Sequence, residues 1–175
     1  MRGKAILAAA VVLGLSAPIG ARAASTQTVG CSTAGYTMQV PANWVVSGKC
    51  TSNPHIVSSD LQTVMQVQVV QHGFWNDSRA RSSIKGDLIA DAGKGGKVVI
   101  APYLWTQTLH GKHFVSGSAA VMDAGGKKGV VVESQTFVRG LLYKFEAQIY
   151  YTTDKAALAA RKSVVSAALK SVQVR

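Results

Sequence analysis

No apolar run in the chain reaches the ~20 residues that a bilayer-spanning helix needs; the longest, residues 5–15, stops at ~11. That excludes a membrane span and leaves room for an export signal. Cysteine is limited to Cys31 and Cys50, and no histidines flank them at ligand spacing, which excludes a tetrahedral zinc set. No serine stands in a G-x-S-x-G elbow. No glycine-rich stretch links a strand to a helix as a phosphate loop must, and Lys94-Gly95-Gly96-Lys97 reads as a turn. Acidic side chains are scarce, 8 against 19 Lys and Arg, for a formal net charge of +11. A basic chain favours anionic partners. Yet only Lys127-Lys128 and Arg161-Lys162 are adjacent, and neither lies in a basic block with interleaved aromatics, so no specific nucleic-acid site is expected. No cofactor or metal is implied.

What the chain does have begins with a leader. Arg2 and Lys4 precede the apolar run, Pro18 and Gly20 break it, and Ala21-Arg22-Ala23 gives an A-x-A cleavage site. Residues 1–23 are read as a secretory signal peptide, and the mature protein as periplasmic or secreted, with no transmembrane segment after cleavage. The remainder keeps 16 basic against 8 acidic side chains. Its length suits one domain with its own core. An oxidising compartment allows Cys31 to pair with Cys50, the one intramolecular disulfide available.

Periodicity then divides the mature chain. Residues 24–34 are small and polar and read as an extended or loosely ordered arm, with the domain proper over 35–175. Tyr36-Thr37-Met38-Gln39-Val40 alternates with period two, as does 63–70, so both are strands. Asp77 or Ser78 would cap a helix to about residue 92, with Ile84, Leu88 and Ile89 on one face. Three turn signals, His110-Gly111-Lys112, Gly125-Gly126 and Arg139-Gly140, mark off strands at 103–109, 113–122, 129–138 and 141–151. This is a four-strand antiparallel meander. A helix from Asp154 to about residue 169 and a short strand within 171–174 close the chain. The class is α+β.

The opening Tyr36-Thr37-Met38-Gln39-Val40-Pro41-Ala42-Asn43-Trp44, the polar middle helix, the meander, and Tyr150-Tyr151 leading into a last helix and Ser171-Val172 together resemble the PsbP-like family, which includes DcrB-like periplasmic proteins. The resemblance implies helices flanking a central antiparallel sheet, an α/β/α sandwich. It also implies a non-enzymatic binding or assembly role, with no universal catalytic residues to carry over.

Pairing residues symmetrically about the three turns sets a register. Trp105, Ser118, Glu133 and Glu146 form one row, and Gln107, Ser116, Gln135 and Lys144 the next. A third row is Leu109, Phe114, Phe137 and Leu142, all on one face. The opposite face would carry Val115, Ala119, Val121, Val130, Val132, Tyr143, Phe145 and Ile149 as core. Polar side chains around a Trp suggest a recognition floor built from Trp105, Gln107, Ser118, Glu133, Gln135, Lys144 and Glu146. A one-residue shift in any turn would dissolve it.

Glu133 opposite Glu146 would repel, and one pKa would rise, as in acid/base pairs. Asp87 and Asp91 read as a solvated helix face. His110 and His113 flank a tight turn without acidic or sulfur ligands nearby in sequence. The function expected is an exported non-enzymatic binding or assembly protein of the cell envelope, its partner an envelope protein or an anionic surface component. The alternatives are a small hydrolase using Glu133 and Glu146, or attachment to anionic envelope polymers through basic charge alone.

Overall fold

The computed structural model describes residues 25–93, 96–123, 128–150 and 154–175. The expected leader and the Gly125-Gly126 turn therefore lie outside the described residues. The elements run β1 (Thr26–Cys31), β2 (Tyr36–Pro41), β3 (Val45–Ser47), β4 (His55–Val57), β5 (Thr63–Gln71) and α1 (Asp77–Gly93). They continue with β6 (Gly96–Leu109), β7 (Lys112–Asp123), β8 (Lys128–Val138), β9 (Leu141–Tyr150), α2 (Lys155–Lys170) and β10 (Gln173–Val174). Within the stretch expected to be an extended or loosely ordered arm, β1 is extended and pairs with β2 from Thr26↔Pro41 to Cys31↔Tyr36. A disulfide joins Cys31 to Cys50 across a Cα–Cα distance of 5.4 Å.

Seven strands form the main sheet in the order β3-β4-β5-β9-β8-β7-β6, and β1-β2-β10 form a smaller one. The consecutive strands β6 to β9 are antiparallel neighbours. Two of their connections are two-residue turns with both residues at positive φ: His110 (48°) with Gly111 (74°), and Arg139 (52°) with Gly140 (81°). That backbone matches the right-handed twist of the strands it joins. β6 ends the sheet, and its pairing with β7 is irregular between Val98 and Tyr103, beside Pro102.

α1 lies on one face of the main sheet, against β6, β7 and β8; α2 packs on β2 and β9. The fold is α+β with helices on both faces, and each face has its own core. On the α2 side, Met65, Val67, Tyr143, Phe145, Ala147 and Ile149 meet Val165, Ala168 and Leu169 of the helix and Tyr36, Met38 and Val40 of the small sheet. On the α1 side, Ala80, Ile84 and Leu88 pack on Val115, Ala119 and Val131. Ile89, expected on that apolar face, is exposed. Asn76 rather than Asp77 caps the helix, its Oδ1 accepting from Arg79 N at 2.9 Å. α2 is capped by Asp154 as the sequence suggests, its carboxylate accepting from Ala156 N at 2.8 Å.

Two side chains expected in one core face therefore belong to the other. Val115 and Ala119 face α1, whereas Val132, Tyr143, Phe145 and Ile149 face α2. α1 sits close to the sheet because position 117 has no side chain. A Cβ there would lie 2.6 Å from both Ile84 Cγ2 and Leu104 Cδ2. Gly117→Ala is expected to cost ~1–3 kcal/mol as overpacking, measured as a melting temperature lower by several degrees in circular dichroism. An unchanged melting curve would mean that α1 yields freely.

Candidate functional site

Strand β8 decides where the candidate residues go, because alternate side chains on a strand face opposite ways. Glu133 pairs with Glu146 and Gln135 with Lys144, as the turn at Arg139-Gly140 leads one to expect. The β7–β8 register differs by one residue: Glu133 lies opposite Gly117, and Ser118 opposite Val132. The β6–β7 register differs by two, pairing Trp105 with Ser116 and Gln107 with Phe114. A two-residue slip keeps the face and a one-residue slip reverses it. The expected floor is thus divided. Glu133, Gln135, Lys144 and Glu146 face α1; Trp105, Gln107 and Ser118 face α2.

On the α1 side a cavity of about 180 Å³ is lined by Gln66, Gln68, Asp87, Ala90, Glu133, Lys144 and Glu146. Glu133 is its deepest charged group, 2% exposed. Gln135 Nε2 donates to Glu133 Oε1 at 2.6 Å and to Ser83 Oγ at 3.2 Å, while the other amide atom of Gln135, Oε1, is buried without a partner. Lys144 Nζ binds Asp87 Oδ2 at 2.9 Å and Ser83 Oγ at 3.2 Å. Glu146 accepts from Gln66 at 2.7 Å and Gln148 at 3.2 Å.

Burial pushes the Glu133 carboxyl from 4.5 up to about 7; the charges of Asp87 and Glu146 add to this, and the Gln135 hydrogen bond and Lys144 oppose it. Repulsion from Glu146 is thus a minor part of the rise, and desolvation the major one. Asp87, read from sequence as part of a solvated face, is drawn into the site by Lys144. Ser83 and Gln66 join it too, and neither carried a sequence signal, since only the packing of α1 and β5 against β8 and β9 brings them there.

On the α2 side a groove of about 360 Å³ runs between the helix and the sheet. Val130, Val132, Val165 and Leu169 make its apolar floor, Trp105, Gln107 and Ser118 one wall, and Lys162 and Lys170 its charged lining. Gln107 Nε2 donates to Ser116 Oγ at 3.1 Å, and Ser116 and Ser134 share a hydroxyl bond of 2.7 Å. Trp105 stacks on Tyr103, with ring centroids 5.7 Å apart and planes at 24°, and Tyr103 is 69% exposed.

The two histidines at the first turn part company. His113 Nε2 lies 3.0 Å from Asp77, and His110 Nε2 lies 3.2 Å from the Lys170 carbonyl. Among the described residues no group of three His, Cys, Asp or Glu is placed to hold a metal ion. No helix among them is long and apolar enough to cross a membrane.

By sequence, no family model and no curated protein matches the chain. By structure, it is similar to the cyanobacterial PsbP of Synechocystis, with a TM-score of 0.61 at 15% identity over 92% of this chain and 99% of that one. It is also similar to the Ran-binding protein Mog1p of Saccharomyces cerevisiae, with a TM-score of 0.57 at 10% identity over 86% and 95%. A third similar structure is LpqN of Mycobacterium tuberculosis, a protein involved in cell envelope biogenesis, with a TM-score of 0.53 at 11% identity over 86% and 90%. The fold is PsbP-like, as the resemblance in the sequence implies.

Proposed function

We propose that this chain is an exported, non-enzymatic binding or assembly protein of the cell envelope that takes its partner in the groove between α2 and β6–β8. The observation carrying this reading is the groove's composition. It combines an apolar floor, an aromatic wall with an exposed Tyr103 beside it, and two lysines with no carboxylate among its lining residues. Such a surface suits an anionic partner with an apolar anchor. An envelope setting is supported by the Cys31–Cys50 disulfide, by the signal-like leader, and by the envelope role of the similar LpqN.

In-cell cross-linking of the tagged protein should capture one envelope component, reduced several-fold by Trp105→Ala and by Lys162→Glu with Lys170→Glu. Capture unaffected by either variant would place the partner elsewhere. Capture that survives ~0.5 M salt would remove attachment by basic charge alone, since that attraction is screened.

The hydrolase alternative has one observation in its favour, the raised Glu133 carboxyl. Against it, both oxygens of Glu146 already accept amide hydrogens from Gln66 and Gln148, which ties down the group that would have to act as base. Turnover lost in Glu146→Gln would be needed to restore it.

A further inference from the structure

We propose that the cavity beneath α1 is a second binding site, separate from the groove, which receives a primary ammonium group. The chain has only eight acidic residues and a net charge of +11, yet both of its glutamates and Asp87 line this one cavity. Lys144 is the single cation among the lining residues, and its ammonium is already held by Asp87 and Ser83. The cavity is therefore short of positive charge in a protein that has an excess of it elsewhere.

Glu133 shows where the missing charge belongs. Its side chain is 2% exposed and lines the cavity. Oε1 accepts from Gln135, but Oε2 has no hydrogen-bond partner among the described residues. That oxygen is not sealed from the cavity, and an ammonium entering there supplies both a donor and the opposite charge to a carboxylate that burial disfavours. The space, about 180 Å³, holds roughly six waters at ~30 Å³ each, enough for one compact head group. A metal ion is the poorer occupant, because no three acidic or imidazole ligands converge. The charged groups facing Glu133 are Asp87 from α1 and Lys144 and Glu146 from β9; β5 brings only Gln66 and Gln68.

The test is titration of the purified protein with n-butylammonium chloride and, in parallel, with Nα-acetyl-lysine amide, followed by amide chemical shifts. Saturable binding is expected near the millimolar range that a single buried head group gives. It should weaken at least tenfold in Glu133→Gln and stay unchanged in Trp105→Ala. Lowering the pH through about 7 should weaken it too, as Glu133 takes up a proton.

Asp87→Asn, at a partly exposed side chain and with Glu133 left in place, should also weaken binding, since it removes one charge and frees Lys144 to compete, and it guards against a folding defect in the first variant. Tighter binding of the lysine derivative assigns the group to a protein side chain, and tighter binding of butylammonium to a free amine; either supports the site. Equal binding of tetramethylammonium, which has no N–H, would overturn it in favour of loose counter-ion attraction. Saturable calcium binding with no amine effect, unaltered affinity in Glu133→Gln, or no saturation by either amine would overturn it as well. Because Trp105→Ala leaves this site intact, failure here and failure of the groove reading are separate outcomes.

Discussion

At about pH 8 Glu133→Gln should unfold at a higher denaturant concentration than the wild-type protein, and at about pH 4 the two curves should nearly coincide. The sign follows from which state prefers the neutral acid. In the folded protein the Glu133 carboxyl is raised from 4.5 to about 7, chiefly by burial. Below pH 4.5 it is protonated in both states and costs nothing. As pH rises from 4.5 to 7 the unfolded chain releases its proton first, so stability is lost across that window and stays lost above it. The offset is worth about 3 kcal/mol. Gln cannot ionise, and its carbonyl oxygen replaces Glu133 Oε1 as acceptor for Gln135. Equal stability of the two proteins at pH 8 would mean that Glu133 is hydrated after all. Gained stability together with lost amine affinity would identify a side chain kept for binding at the expense of folding.

The second large effect concerns the N-terminal strand. Removing the disulfide by Cys31→Ser with Cys50→Ser should lower unfolding free energy by ~3 kcal/mol, the chain-entropy value for a loop of this size; the two cysteines are 19 residues apart. The bridge has local support, because Gly30 N also donates to the Lys49 carbonyl at 2.7 Å, so β1 is held from β2 on one side and from residues 49–50 on the other. Urea denaturation in non-reducing buffer would measure the loss. Reductant should bring the wild-type protein to the same midpoint. No shift in either experiment would show that the β1–β2 ladder alone suffices to hold β1.

Much of the meander was legible because its turns carry their own chemistry. Two-residue turns of type I′ need both residues at positive φ, and His110-Gly111 and Arg139-Gly140 supply a glycine at the second position. From Arg139-Gly140 the β8–β9 register, including Glu133 opposite Glu146, follows directly. The β7–β8 connection gives no such anchor. Met122 pairs with Lys128, an odd-length connection, where Gly125-Gly126 alone suggests an even one. That single residue moves Glu133 and Gln135 away from Trp105 and onto the face of α1.

Other features were silent for different reasons. β3 and β4 are three residues each, too short for period two to register, and β1 is built from small polar residues whose pairing with β2 and bridge to Cys50 leave no periodic signal in the sequence. Asp87 looked solvated because helical spacing shows only neighbours on the same helix. Its partner Lys144 lies 57 positions away in the chain. The α+β class was readable from the order of elements and the sandwich from the resemblance to the PsbP-like family, but which face each side chain serves was not.

The outermost strand has a consequence for how the folded protein keeps in concentrated solution. β6 ends the main sheet, leaving one row of its backbone groups with no strand beyond it among the described residues. Exposed rows of this kind template edge-to-edge growth into fibrils. The irregular pairing around Pro102, which has no N–H to offer, interrupts the row in its first half. The regular remainder, residues 103–109, is about the length of a fibril-forming segment and includes no charged residue. The same short stretch carries Tyr103 and Trp105, so a partner seated over those rings would also shield this margin of the sheet from edge-to-edge growth.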